Sequence, residues 1–228
     1  MDEAETLFNH SLETRTKLFG PENARTLLTR SNIGLLWQAR GKFDQAEQIF
    51  RDVADRLSKA YGPDYPDALI AENNIAWMKA QNGQYAEAEA IYIKIVPQMR
   101  RAVGDKHPNT IILLMRLGHV LNQQGKWIEA EPVLSQAYAD ATALGLTSAQ
   151  PMFAATFGYC LAKRDKPQEA LEKLLEADAL LQHTLTPDLL VRSQLTKTIA
   201  DIYTRLGQTR EAEEWNRRLP ATRPATVP

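Results

Sequence analysis

One repeat length governs what this chain can fold into. An alanine preceded by Glu or Gln stands at Ala4, Ala46, Ala88, Ala130, Ala170 and Ala212, in steps of 42, 42, 42, 40 and 42 residues. Gly41, Gly83, Gly125 and Gly207 keep the same step, with Asp165 filling the missing slot. A second series, Gly20, Gly62 and Gly104, also advances by 42 and continues near Gly145. Three registers sharing one period describe a chain that stacks copies of one small unit, none of which buries its apolar face alone.

Each unit reads as two helices. Phe43, Ala46, Phe50, Val53 and Leu57 alternate steps of three and four, which is one helical face. The stripe returns as Tyr85, Ala88, Tyr92, Ile95 and Met99, as Trp127, Ala130, Leu134, Ala137 and Ala141, and as Pro167, Ala170, Leu174, Ala177 and Leu181. The helix before each stripe carries a tight pair: Ile33-Gly34, Ile75-Ala76, Leu117-Gly118, Phe157-Gly158 and Ile199-Ala200. A small residue there admits close approach of the second helix, matched by that helix's own alanine. Gly41 and its equivalents suit a left-handed helix stop. Gly62-Pro63-Asp64-Tyr65-Pro66 and Gly104-Asp105-Lys106-His107-Pro108 end one helix and open the next with proline in its first turn. No segment reads as a strand, so the expected class is all-α.

The pattern Ile33-Gly34-x2-Trp37, then Gly41, then Ala46-x3-Phe50 resembles the tetratricopeptide repeat (TPR). The usual TPR period is about 34 residues. The longer unit here, with Asn73-Asn74-Ile75-Ala76 and Gln84-Tyr85-Ala86-Glu87-Ala88-Glu89, is similar to the kinesin light chain type. The resemblance implies an α-α superhelix of about five helix pairs plus an N-terminal single helix. The expected division is a half repeat at 1–20, repeats near 21–62, 63–104, 105–145, 146–186 and 187–219, and a Pro/Ala/Thr-rich disordered tail at 220–228. It also implies a scaffold that binds a peptide or protein segment in a concave groove. Similar arrays occur in bacterial signalling proteins, including segments that follow serine/threonine kinase domains, so a regulatory or self-associating segment is the alternative. The array opens on a second helix whose Ala4, Leu7, Phe8, Leu12 and Leu18 lack a preceding partner. That predicts a piece of a longer protein and a surface for self-association. At the other end Thr209, Ala212 and Asn216, among Glu213, Glu214, Arg217 and Arg218, read as a polar cap.

Composition narrows the function. A formal net charge of −1 lacks the basic excess expected for nucleic acid or an anionic membrane surface. No apolar run approaches a bilayer span, and the single Cys160 excludes an internal disulfide, which suits a reducing, cytoplasmic setting. Phosphate-loop, dinucleotide, zinc-protease and serine-hydrolase motifs are absent. His10, His107, His119 and His183 are spread over three units, and Glu87 and Glu89 recur with the repeat. The expectation is therefore no enzyme, no cofactor and no metal site, with Cys160 a buried, inert thiol.

By the resemblance, the groove is lined by the first helix of each pair. Its positions would be Leu28, Ser31, Asn32, Leu35 and Gln38; Ile70, Asn73, Asn74, Trp77 and Gln81; Ile112, Met115, Arg116, His119, Asn122 and Gln123. Met152, Thr156, Tyr159, Lys163, Gln194, Lys197, Asp201 and Arg205 would follow. Asn32 and Asn74, and secondarily Asn73, carry amides able to pair with the backbone of an extended peptide; the competing reading has them simply exposed or bonded to neighbouring helices. Trp77, Tyr159, Met115 and His119 would supply apolar and stacking surface, against a competing place for such residues in the core. Arg116, Lys163, Lys197 and Arg205 outnumber Asp201, which favours an acidic peptide or a carboxylate. Pro97 should bend the helix it interrupts.

Overall fold

The computed structural model describes residues 3–146, 150–182 and 189–219. His183 and the tail at 220–228 lie outside these. Among the described residues there are eleven α-helices and no strand. They form two compact units, 1–124 and 125–228.

The first unit holds α1 (Glu3–Phe19), α2 (Ala24–Ala39), α3 (Phe43–Tyr61), α4 (Pro66–Gln81), α5 (Tyr85–Val103) and α6 (Pro108–Gln123). The apolar stripe of α3 is its buried face: Ala46, Phe50, Val53 and Leu57 are wholly inaccessible. Phe50 lies with Ile75 and Met78 of α4, while Val53 and Leu57 pack with Leu27 of α2 and Ala68 and Ala71 of α4. Truncating a buried aromatic such as Phe50 costs about 3–5 kcal/mol, so these layers carry the unit. A Cβ built on Gly34 would stand 2.8 Å from the Phe50 ring, which explains the small residue beside Ile33. In α5, Tyr92, Ile95 and Met99 repeat the buried stripe. The helix runs unbroken through the exposed Pro97.

The linkers are tied to the outer helices. Gly62, with φ near 100°, ends α3 in a conformation that side-chain-bearing residues rarely adopt. Arg56 donates to the Pro21 carbonyl and bridges Glu22 at 2.7 Å. Gln98 donates to the Pro63 carbonyl, and Gln98 and Arg101 both reach Asp64. Among the described residues, α2 and α6 gain side-chain caps. Asn23 accepts from the Arg25 amide at 3.0 Å, and His107 Nδ1 accepts from the Asn109 amide at 3.1 Å, which gives His107 a structural task.

The second unit holds α7 (Trp127–Ala143), α8 (Gln150–Lys163), α9 (Pro167–Leu181), α10 (Leu189–Arg205) and α11 (Thr209–Asn216). Gly158 of α8 meets Leu174 of α9, where a Cβ would fall 2.7 Å from Leu174 Cγ. Asp165 takes the glycine slot of the turn with φ near 59°, and Glu131 clamps that turn by bridging Arg164 at 2.8 Å and Lys166 at 2.5 Å. Cys160 is fully buried with Sγ 3.5 Å from the Trp127 carbonyl, and burial pushes its pKa up to about 11. Such a thiol carries little thiolate at neutral pH.

Candidate interaction surface

In the first unit the first-of-pair helices α2, α4 and α6 neighbour one another in order. Their residues fall into columns 42 apart. Ser31, Asn73 and Met115 form a buried column. Asn32, Asn74 and Arg116 form an accessible one, from exposed Asn32 to half-buried Asn74 and Arg116. Leu35, Trp77 and His119 form the accessible column beside it, with Leu35 exposed and the other two half-buried.

Four of the expected residues come together across α4 and α6. Arg116 Nη1 donates to Asn73 Oδ1 at 2.9 Å. The guanidinium carbon lies 4.8 Å from the Trp77 ring centroid, within cation–π range. Trp77 and His119 face each other at 5.5 Å with a 55° tilt. Asn73 is therefore a buried acceptor for Arg116 and not an open peptide contact. Asn122 is buried as well. Both were expected on the groove surface; their columns turn toward the packing between helix pairs instead.

The electrostatics of the cluster are unusual. Burial holds the Arg116 pKa below the ordinary arginine range, opposed by the Tyr92 hydroxyl; no carboxylate among the described residues pairs with this cation. Tyr92 of α5 is fully buried, and its hydroxyl has no hydrogen bond of proper geometry. Burial pushes its pKa up to about 12, with Arg116 the group that partly offsets the shift. Burial also lowers the His119 pKa, so the neutral imidazole is favoured. Tyr92 was not among the expected site residues. Its signal was available, because the register has Phe50, Leu134 and Leu174 where this unit carries a hydroxyl.

The second unit disposes its expected residues differently. Tyr159 is half-buried; burial pushes its pKa up to about 12, with Thr198 opposing. Lys163 and Lys197 are exposed. Arg205 is held by Asp165 and by the Ala162 carbonyl at 3.4 Å. Among the described residues no group of three or more His, Cys, Asp or Glu side chains is placed to hold a metal ion. No described helix is long and apolar enough to cross a membrane.

The family model of the tetratricopeptide repeat matches residues 1–59, 27–92 and 67–143. Among solved structures, the putative kinesin light chain TPR-like repeats of Podosopora anserina superpose with a TM-score of 0.68 at 20% identity, over 86% of this chain and 93% of that one. BtubC (BKLC) from P. vanneervenii gives 0.75 at 16% identity, over 99% and 94%. A chain of the APC/C hetero-tetramer Cut9–Hcn1 gives 0.64 at 17% identity, over 92% of this chain and 36% of that one. At these identities the likeness is one of fold. No curated protein matches the sequence.

Proposed function

The chain belongs to the tetratricopeptide repeat family, and from that premise we propose that it is a scaffold module whose first unit binds an acidic peptide or protein segment across α2, α4 and α6. The observation that carries this reading is Arg116. A guanidinium drawn out of water with one amide acceptor, one aromatic face and no carboxylate is left with unused charge. An incoming carboxylate would complete it with a charge-assisted hydrogen bond. Trp77 and His119 supply apolar surface beside the cation, while Asn32 and Asn74 offer amides to a peptide backbone. A chain of similar fold stands in the Cut9–Hcn1 hetero-tetramer, which supports the general role without naming a partner.

The test is fluorescence anisotropy with labelled peptides that differ only in Glu or Gln at one position. The wild-type chain should prefer Glu by about tenfold or more, and Arg116→Met should erase the preference. Equal binding of both peptides by the wild-type chain would refute an acidic-peptide site. A second reading has its own observation. α1 buries no residue, and Leu7, Leu18 and Phe19 stand 63%, 69% and 47% exposed, as a self-association surface would. Sedimentation across a concentration series, with Leu7→Glu/Leu18→Glu as the control, separates the two.

A further inference from the structure

A second subsite lies on the other side of α4 from Arg116. Leu35, Gln38 and Ala39 of α2, Phe43 at the start of α3, and Gln81 and Asn82 at the end of α4 line an open cleft of about 650 Å³. Leu35 is 44% exposed and Phe43 38%, so two large apolar side chains of one cleft face water. Gln38 Nε2 donates to Gln81 Oε1 at 3.2 Å, closing one edge with an amide pair. None of the six lining residues is charged. The cations nearest in sequence are already occupied: Arg40 by Glu5 at 2.7 Å, Lys79 by Glu87 at 2.6 Å, and Lys42 over the Trp37 ring at 5.8 Å.

A neutral rim over an apolar floor gives a charged side chain nothing in return for its lost water, whereas an aliphatic or aromatic side chain gains from burial. The geometry points to an anchor subsite for one large apolar side chain of the same extended peptide whose carboxylate meets Arg116, and it rests on that reading. The spacing follows from helix dimensions. Gln81 lies four residues beyond Trp77 and eight beyond Asn73 on α4, about 6–12 Å along the axis. The cleft faces α2 while Arg116 comes from α6, which adds a sideways offset of about 8–10 Å. The diagonal of about 10–16 Å is spanned by about three to five residues of extended chain. The ligand is therefore a peptide with an acidic residue and a Leu, Met or Phe about three to five positions apart.

Labelled peptides with one Glu and one Leu in a Ser/Ala background, separated by one to eight residues, test this against the full chain. Affinity should peak at separations of about three to five, where Leu adds about tenfold over Ala. Phe43→Ser should remove the Leu gain while leaving the Glu-only peptide unchanged; Leu35→Gln, read as the ratio of Leu to Ala peptide affinities, serves as a second variant should the first fail to fold by circular dichroism. A Leu gain independent of separation, or one that survives the variant, overturns the subsite and leaves the Arg116 reading standing. Glu-only peptides bound equally by wild type and Arg116→Met overturn both.

Discussion

Arg116 and Arg205 each reach back to a position 43 residues earlier, and they meet opposite situations. Arg205, exposed, finds the Asp165 carboxylate and the Ala162 carbonyl. Arg116, half-buried, finds Asn73, the face of Trp77 and the buried hydroxyl of Tyr92. The two do not hold equivalent places, Arg116 lying two residues before Gly118 and Arg205 five after Ala200, yet one cross-repeat reach is complete within the chain and the other is not. A repeat fold supplies recurrent places along each first-of-pair helix; side-chain chemistry decides which place serves packing and which awaits a partner.

The contrast breaks most readily at Asn73. Asn73→Ala takes away the acceptor of a desolvated guanidinium, and urea denaturation should show a loss of about 2 kcal/mol. An unchanged midpoint would mean that Arg116 swings to water without cost. Tyr92→Phe should act in the opposite direction, stabilising by about 1 kcal/mol, because it deletes a buried hydroxyl lacking a hydrogen bond. Destabilisation there would show that the hydroxyl is an essential neighbour of Arg116.

His119 extends the comparison to pH. Its folded pKa lies below the ordinary value because of burial, so the unfolded chain takes up the proton first. Stability from this group is present above the unfolded pKa near 6.5 and is lost as pH falls through it toward the folded value. The urea midpoint should drop between pH 7.5 and 5.5, and His119→Asn should flatten that part of the profile. A wild-type profile that is already flat would contradict a desolvated imidazole. Arg205→Ala, at the exposed contact, should move stability by no more than about 0.5 kcal/mol. A cost rivalling that of Asn73→Ala would end the distinction between the two contacts.

The periodic part of the molecule was readable without coordinates, because Gly34, Phe50, Gly158 and Leu174 report helix contacts through size alone. Membership in the first-of-pair helices was equally plain for Asn32, Asn73, Asn74 and Arg116. What the period could not settle is the rotation of a column. Ser31, Asn73 and Met115 sit one residue before the more accessible Asn32, Asn74 and Arg116, and about 100° of helix turn separates the two columns. Nor does spacing reveal that Arg116 and Asn73 bond to each other, since a side-chain pairing across helices depends on crossing angle and rotamer. The cleft at Leu35 and Phe43 was hidden for a related reason. Its residues come from the end of one helix, the start of another and a neighbouring pair, and they form no motif along the chain.

The linker clamps bear on how the chain reaches its fold. Arg56 closes on Pro21 and Glu22, and Gln98 on Pro63 and Asp64, across separations of 34 and 35 residues. Each clasp ties a helix pair to its own beginning, so its loop closes early and at modest entropic cost. Assembly can then start at any pair and spread to its neighbours, with low contact order throughout. A lesion in one clasp would loosen its own pair first, and hydrogen exchange would register it as a local patch of lost protection while distant pairs kept theirs.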